Sequence, residues 1–190
     1  TVVAISELIE YYKGIFTTLS SCASRQLEEV TFRRATISVP ELMATAGKYF
    51  RKVYKGNKAH IDFKIQLLEG RITGDWNQLR FLLENLIDEA CSVTLDGAVC
   101  LSAREDGEFI RFLFTDMRRE KTREELNQLF YPDLSRMTAG EKGELYGTEY
   151  LVCKQIIRDH DEFAGRRGCR INAEPGKEGG FTIYFTLPKK

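Results

Sequence analysis

Apolar residues set the first rhythm of the chain. Ile5, Leu8, Ile9, Tyr12, Phe16, Leu19 and Ala23 recur at three- and four-residue steps, with Glu7, Glu10, Lys13 and Arg25 between them. That period predicts a helix over 3–28 whose stripe docks on its own domain or pairs with a second chain. Residues 29–38 read as extended. Ser38-Val39-Pro40-Glu41 then opens a second helix, with Ser38 at the N-cap and Glu41 three positions later. Its apolar face is Leu42, Ala46, Tyr49, Phe50 and Val53, and Lys55-Gly56-Asn57 ends it.

The period changes to two at 60–67, which predicts a strand, and a shorter strand follows at 71–74. Asp75 caps a helix over 76–93 with Trp76, Leu79, Leu82, Leu83, Leu86, Ile87 and Ala90 inward. Residues 98–104 and 108–115 form a hairpin around Glu105-Asp106-Gly107. Residues 116–121 read as a polar loop, and Thr122 with Glu125 starts a short helix to 130. Residues 131–146 carry no period and hold Pro132, Gly140 and Gly143, the marks of a functional or mobile loop. A helix over 147–160 and strands over 168–173 and 181–187 complete the chain. This order predicts an α+β fold, a two-layer sandwich with helices on one face of a mixed or antiparallel sheet. It divides as a helix at 1–28 and one domain at 29–190.

Charge sharpens the functional classes. The 190 residues hold 28 Lys+Arg and 28 Asp+Glu, a formal net charge of +0. A dedicated nucleic-acid binder would be basic. The five cysteines include no Cys-x-x-Cys pair, and the two histidines lie far apart at His60 and His160, so a zinc site of ordinary spacing is not expected. The cysteines read as small buried hydrophobes of a reducing compartment. No run of about 18 apolar residues is present, so no membrane span is expected. The first residues lack the features of a signal peptide and read as a cut within a larger protein. The location expected is the cytoplasm, as the cytoplasmic part of a membrane-bound sensor in one version.

Residues 36–188 resemble the ATP-binding catalytic domain of bacterial sensor histidine kinases, within the superfamily that also holds gyrase, heat-shock chaperone and mismatch-repair ATPases. Residues 74–90, from Gly74-Asp75-Trp76 to Asp88-Glu89-Ala90, resemble the strand end and helix with that family's Asn motif. Phe114-Thr115-Asp116 and Phe130-Tyr131-Pro132 resemble its first Gly box and its Phe-x-Pro-Phe segment. Residues 147–157 with His160 resemble the second Gly box and helix, and 168–188 the closing hairpin. Residues 1–28 would then be the second helix of the dimerising, phosphate-accepting hairpin. They hold no histidine, so the accepting residue lies upstream or does not exist.

The resemblance implies site residues and also marks departures. Glu89 stands where the family has the Mg²⁺-ligating Asn, and its carboxylate is a legitimate hard ligand. Asn85 lies one turn earlier on the same side. Asp116 keeps the place of the Asp that accepts a hydrogen bond from the adenine amino group. The two glycines that follow in the family are Arg118 and Glu120 here, and the second box keeps only Gly147 before Glu149. Those glycines let backbone approach the nucleotide. Arg118, Arg119, Lys121 and Arg123 read either as a solvated basic loop or as a substitute phosphate clamp. His160 reads as structural.

Two functions follow from these residues. One is a degenerate kinase-like domain that signals through protein contacts, with ATP binding lost or weak, no resident cofactor, and self-association through the 3–28 helix. The other is a working Mg·ATP-binding domain rebuilt around Glu89, Asp116 and the basic loop 118–123. A pocket kept for another small ligand, or an unrelated structural module, is the third reading. The partners expected are a second copy of the chain and other signalling domains.

Overall fold

The structure is a computed structural model that describes residues 32–131 and 149–190, together with Ile5 and the backbone of a short antiparallel pair, β6 (Thr138–Ala139) and β7 (Leu145–Tyr146). The helix expected at 3–28 and most of the loop expected at 131–146 therefore lie outside the described residues, and so does Gly147.

The five-stranded sheet runs in the order β2 (Ile61–Gln66), β4 (Gly97–Asp106), β5 (Phe109–Asp116), β9 (Phe181–Pro188), β8 (Ile171–Pro175). β2 is parallel to β4 and the other pairs are antiparallel, so the sheet is mixed. A second pair, β1 (Ala35–Ser38) with β3 (Arg71–Gly74), is antiparallel and touches the end of the large sheet through Ile72 and Lys189.

Three helices form the other layer: α1 (Val39–Tyr54), α2 (Trp76–Ser92) and α4 (Glu149–Phe163). The short α3 (Arg123–Gln128) lies against β8. Each start has a physical signal. The Ser38 hydroxyl accepts the Glu41 N–H, Asp75 accepts the Gln78 N–H, and Thr122 and Glu125 make a reciprocal capping box. The alternation of β5 and β9 sends Ile110, Phe112, Phe114, Phe181, Ile183, Phe185 and Leu187 into one core with Leu42, Leu82, Leu86 and Ile156. Phe112 and Phe185 are cross-strand partners, and their rings stack at 5.0 Å.

Several boundaries move from the sequence expectation, two of them near Asp161. The strand expected at 168–173 begins at Ile171 and runs to Pro175. The reason is local: the Gly168 and Cys169 amides donate to the Asp161 carboxylate at 2.6 and 2.9 Å instead of entering the ladder. α4 runs on to Phe163, past the expected end at 160.

Candidate functional site

The site lies where the C-terminal end of α2 meets the end of β5. β5 delivers Asp116 as its last residue, opposite Phe181 of β9 and Val99 of β4, so its carboxylate is fixed and buried at 1% exposure. The next residues turn back across the end of α2. That helix has no basic residue of its own in its last turn. Arg118 supplies one from 25 residues or more away in sequence, where a cation complements the helix dipole.

Arg118 uses every donor it has. Its Nε donates to Asp116 Oδ1 at 2.8 Å, and its Nη2 to Asp116 Oδ2 and the Ala90 carbonyl, both at 2.7 Å. Its Nη1 donates to the Leu95 carbonyl at 3.1 Å and the Val93 carbonyl at 3.5 Å. The guanidinium carries five N–H donors, and five acceptor contacts meet them. The side chain is fully buried. Gly97 makes the space: a Cβ there would lie 2.8 Å from Arg118 Cγ.

Arg119 stands beside it and is bound differently. Its Nη1 and Nη2 grip Glu89 Oε1 and Oε2 at 2.7 and 2.8 Å, the bidentate pairing that suits a planar fork. Its Nε donates to Asp116 Oδ2 at 2.9 Å. It keeps 14% of its side chain exposed and sits 5.2 Å over the Phe181 ring, with Lys121 at 5.1 Å from the same ring. Two carboxylates and two guanidiniums thus form one neutral, nearly dry cluster.

The ionisation follows from this geometry. Burial alone would raise the Asp116 carboxyl, but the hydrogen bonds and charges of Arg118 and Arg119 outweigh it and hold the group below the usual carboxylate range. Burial likewise opposes the charge on Arg119, and Glu89 more than restores it. Next to this pair lies the buried Tyr150 hydroxyl; burial first, and then the Glu89 charge, push its pKa well up.

The structure brings together Glu89, Asp116, Arg118 and Arg119 of the residues singled out in sequence. Asn85 does not join them: its Nδ2 donates back to the Phe81 carbonyl one turn earlier, at 2.7 Å. Glu120 instead accepts the Gly180 N–H at 2.9 Å and ties the loop to the β8–β9 turn. Gly180 has φ +68°, and a Cβ there would overlap the Asp116 carbonyl, so a backbone without a side chain is required. Sequence reading missed Gly97, Gly180 and Tyr150. A signal for the cluster was present, since the acidic residue at 89 and the basic residue at 118 are departures from the family motif of opposite sign.

No magnesium-type donor set is assembled here. Both Glu89 oxygens and both Asp116 oxygens are taken by guanidinium groups. Among the described residues no group of three or more His, Cys, Asp or Glu side chains could hold a metal ion. As they stand, the residues do not fit a Mg²⁺ ion. The described helices also include none long and apolar enough to cross a membrane.

At the other end of α2, His160 is fully buried. Its Nε2 accepts the Asp75 N–H at 3.1 Å and its Nδ1 faces the Ile156 carbonyl at 2.8 Å, which selects the neutral tautomer with the proton on Nδ1. Phe32 packs edge-on against its ring at 4.9 Å.

A mixed five-stranded sheet of this order with helices on one face matches the fold of histidine kinase catalytic domains. The catalytic domain of histidine kinase ThkA matches over 83% of this chain and 96% of its own, at 19% identity and TM-score 0.64. Full-length ShkA, solved in complex with AMPPNP, matches over 99% of this chain and 38% of its own, at 16% identity and TM-score 0.69. The chain belongs to the family of histidine kinase-, DNA gyrase B- and HSP90-like ATPases, whose model matches residues 74–190. The adaptive-response sensory kinase SasA of Thermosynechococcus vestitus is 29% identical over 137 residues, 71% of this chain. The chain spans about a third, 34%, of that relative's length.

Proposed function

We propose that this chain is a histidine kinase-type domain of two-component signalling whose nucleotide cradle is filled by its own arginines, and that it acts through protein contacts in the cytoplasm. One observation carries the reading: both oxygens of Asp116, the carboxylate expected to receive adenine, accept from Arg118 and Arg119. A nucleotide entering there would have to break a buried, fully matched ion pair, and losing such a pair costs several kcal/mol. Glu89 in turn holds Arg119 instead of a metal ion. Dimerisation through residues 3–28 belongs to the same reading, as the counterpart of the family's dimerising hairpin.

Arg119 favours a second reading. It is the less buried of the two arginines, 14% exposed against 0% for Arg118, and a turn about its side chain would carry it from Glu89 toward a phosphate. A binding site rebuilt on Glu89, Asp116, Arg119 and Gly147 would use that movement, and Glu89 would be freed for Mg²⁺.

Thermal unfolding with and without millimolar Mg·ATP separates the two. A ligand at 100 times its dissociation constant adds about 2.7 kcal/mol to stability. The filled-cradle reading expects no shift. A clear rise in Tm that Asp116→Asn abolishes would establish the rebuilt site.

A further inference from the structure

β8 is the last strand of the sheet, and its outer edge has no partner strand among the described residues. The Thr186 N–H donates to the Arg170 carbonyl at 3.0 Å, and the Gly176 N–H to the Gly180 carbonyl at 2.9 Å. Even-numbered residues 170–176 therefore direct their backbone groups at β9. By the alternation of an antiparallel ladder, Ile171 and Ala173 direct their N–H and C=O groups outward. Grooves flank this edge on its helical side, one against Leu126 and Phe130, the other against Arg158 of α4. An open edge of this kind is a template for another strand.

We propose that the partner is a second copy of this chain, joined through β8 by a two-fold axis at Asn172. The strand reads Arg170-Ile171-Asn172-Ala173-Glu174 and is self-complementary about its centre. Antiparallel pairing on that axis sets Ile171 against Ala173 of the copy and Ala173 against Ile171. Both are hydrogen-bonded pairs, so all four outward groups of each edge are satisfied. The same register sets Arg170 opposite Glu174 of the copy, twice by symmetry. Arg170, Asn172 and Glu174 share the sheet face away from the helices, because their cross-strand neighbours there are Thr186, Tyr184 and Thr182. Among the described residues, no side-chain partner engages Arg170 or Glu174. Pro175 has no N–H to offer and closes the register at each end. Such a contact is isologous, closes on itself, and makes one ten-stranded sheet from two five-stranded ones.

The charge swap tests this register directly and leaves the nucleotide question untouched. Sedimentation equilibrium of the whole chain reads the association. Arg170→Glu alone and Glu174→Arg alone each place like charges opposite one another and are expected to weaken association about tenfold. The double variant R170E/E174R is expected to restore it. Ala173→Pro removes an edge N–H and is expected to weaken it as well. In Asn172→Cys, the two introduced thiols meet across the axis at about 4.5 Å between Cα atoms, a separation a disulfide can span. Oxidation is expected to give a 172–172 cross-linked peptide in mass spectrometry. A monomer at all concentrations overturns the proposal. So does association that ignores these variants, a double swap that fails to restore it, or the absence of the cross-link. Pairing through residues 3–28 is a separate contact that these variants leave alone, so the proposal is read on the further association step beyond it and on the 172–172 cross-link.

Discussion

The two ends of α2 each bury an aspartate, and they compensate it in different ways. At the N-terminal end Asp75, 4% exposed, receives, among the described residues, only backbone N–H groups: Gln78 at 3.1 Å and Arg33 at 2.8 Å. At the C-terminal end Asp116, 1% exposed, receives two guanidiniums. The first arrangement is local, a helix cap extended by one strand-entry amide. The second is an ion-pair cluster drawn from α2, β5 and the loop after it. A cap is replaceable by any small acceptor. A buried charge pair is not, because removing one member strands the other. The contrast places an ion-pair cluster at the C-terminal end and ordinary helix-starting chemistry at the other.

The sharpest break comes from Arg118→Ala. It leaves the Asp116 carboxylate short of its main partner and the Ala90 and Leu95 carbonyls without donors. The expected loss is about 3–5 kcal/mol in urea unfolding. A loss below about 1 kcal/mol would mean that Arg119 takes over the pair. Asp75→Ala should cost less, about 1–2 kcal/mol, the ordinary value of an N-cap. If it matched Arg118→Ala, the distinction between the two ends would fail.

The smallest effect is one of pH. Burial lowers the His160 pKa from 6.5, against the pull of the Ile156 carbonyl and Asp75. The folded state therefore binds fewer protons than the unfolded one below that value. Stability from neutral His160 is present above pH 6.5 and is lost as pH falls below it toward the folded pKa. Asp116, also lowered, adds its loss only below the ordinary carboxylate value of 3.8. Unfolding free energies between pH 7 and 5 should thus slope downward with acid, and His160→Gln should flatten the slope.

Much of the fold was legible because its signals are short-range. Ser38, Asp75 and Thr122 announce their helices within three residues, and Asp106-Gly107 announces the hairpin. The alternation of 181–187 gives the buried face of β9 directly. The site was legible residue by residue and not as a cluster. Glu89, Asp116 and Arg118 could each be marked against the family motif, and Arg119 only as part of a basic loop, but the Glu89–Arg119 grip joins positions 30 residues apart. Reading 116–121 as a polar loop missed that Arg118 is fully buried, since burial there depends on α2 ending where β5 ends. The start of β8 was misplaced because Asp161, on α4, draws off the Gly168 and Cys169 amides.

Gly97 and Arg118 also fix an order of events. Position 97 has φ +134° and no room for a Cβ while the Arg118 stem lies 2.8 Å away. Shortening 118 would lift the clash at 97 but not the strain of its positive φ, so 97 stays glycine throughout and 118 changes alone. Laboratory selection toward an open cradle therefore starts at 118, and it passes through the less stable protein before any gain in binding can be selected.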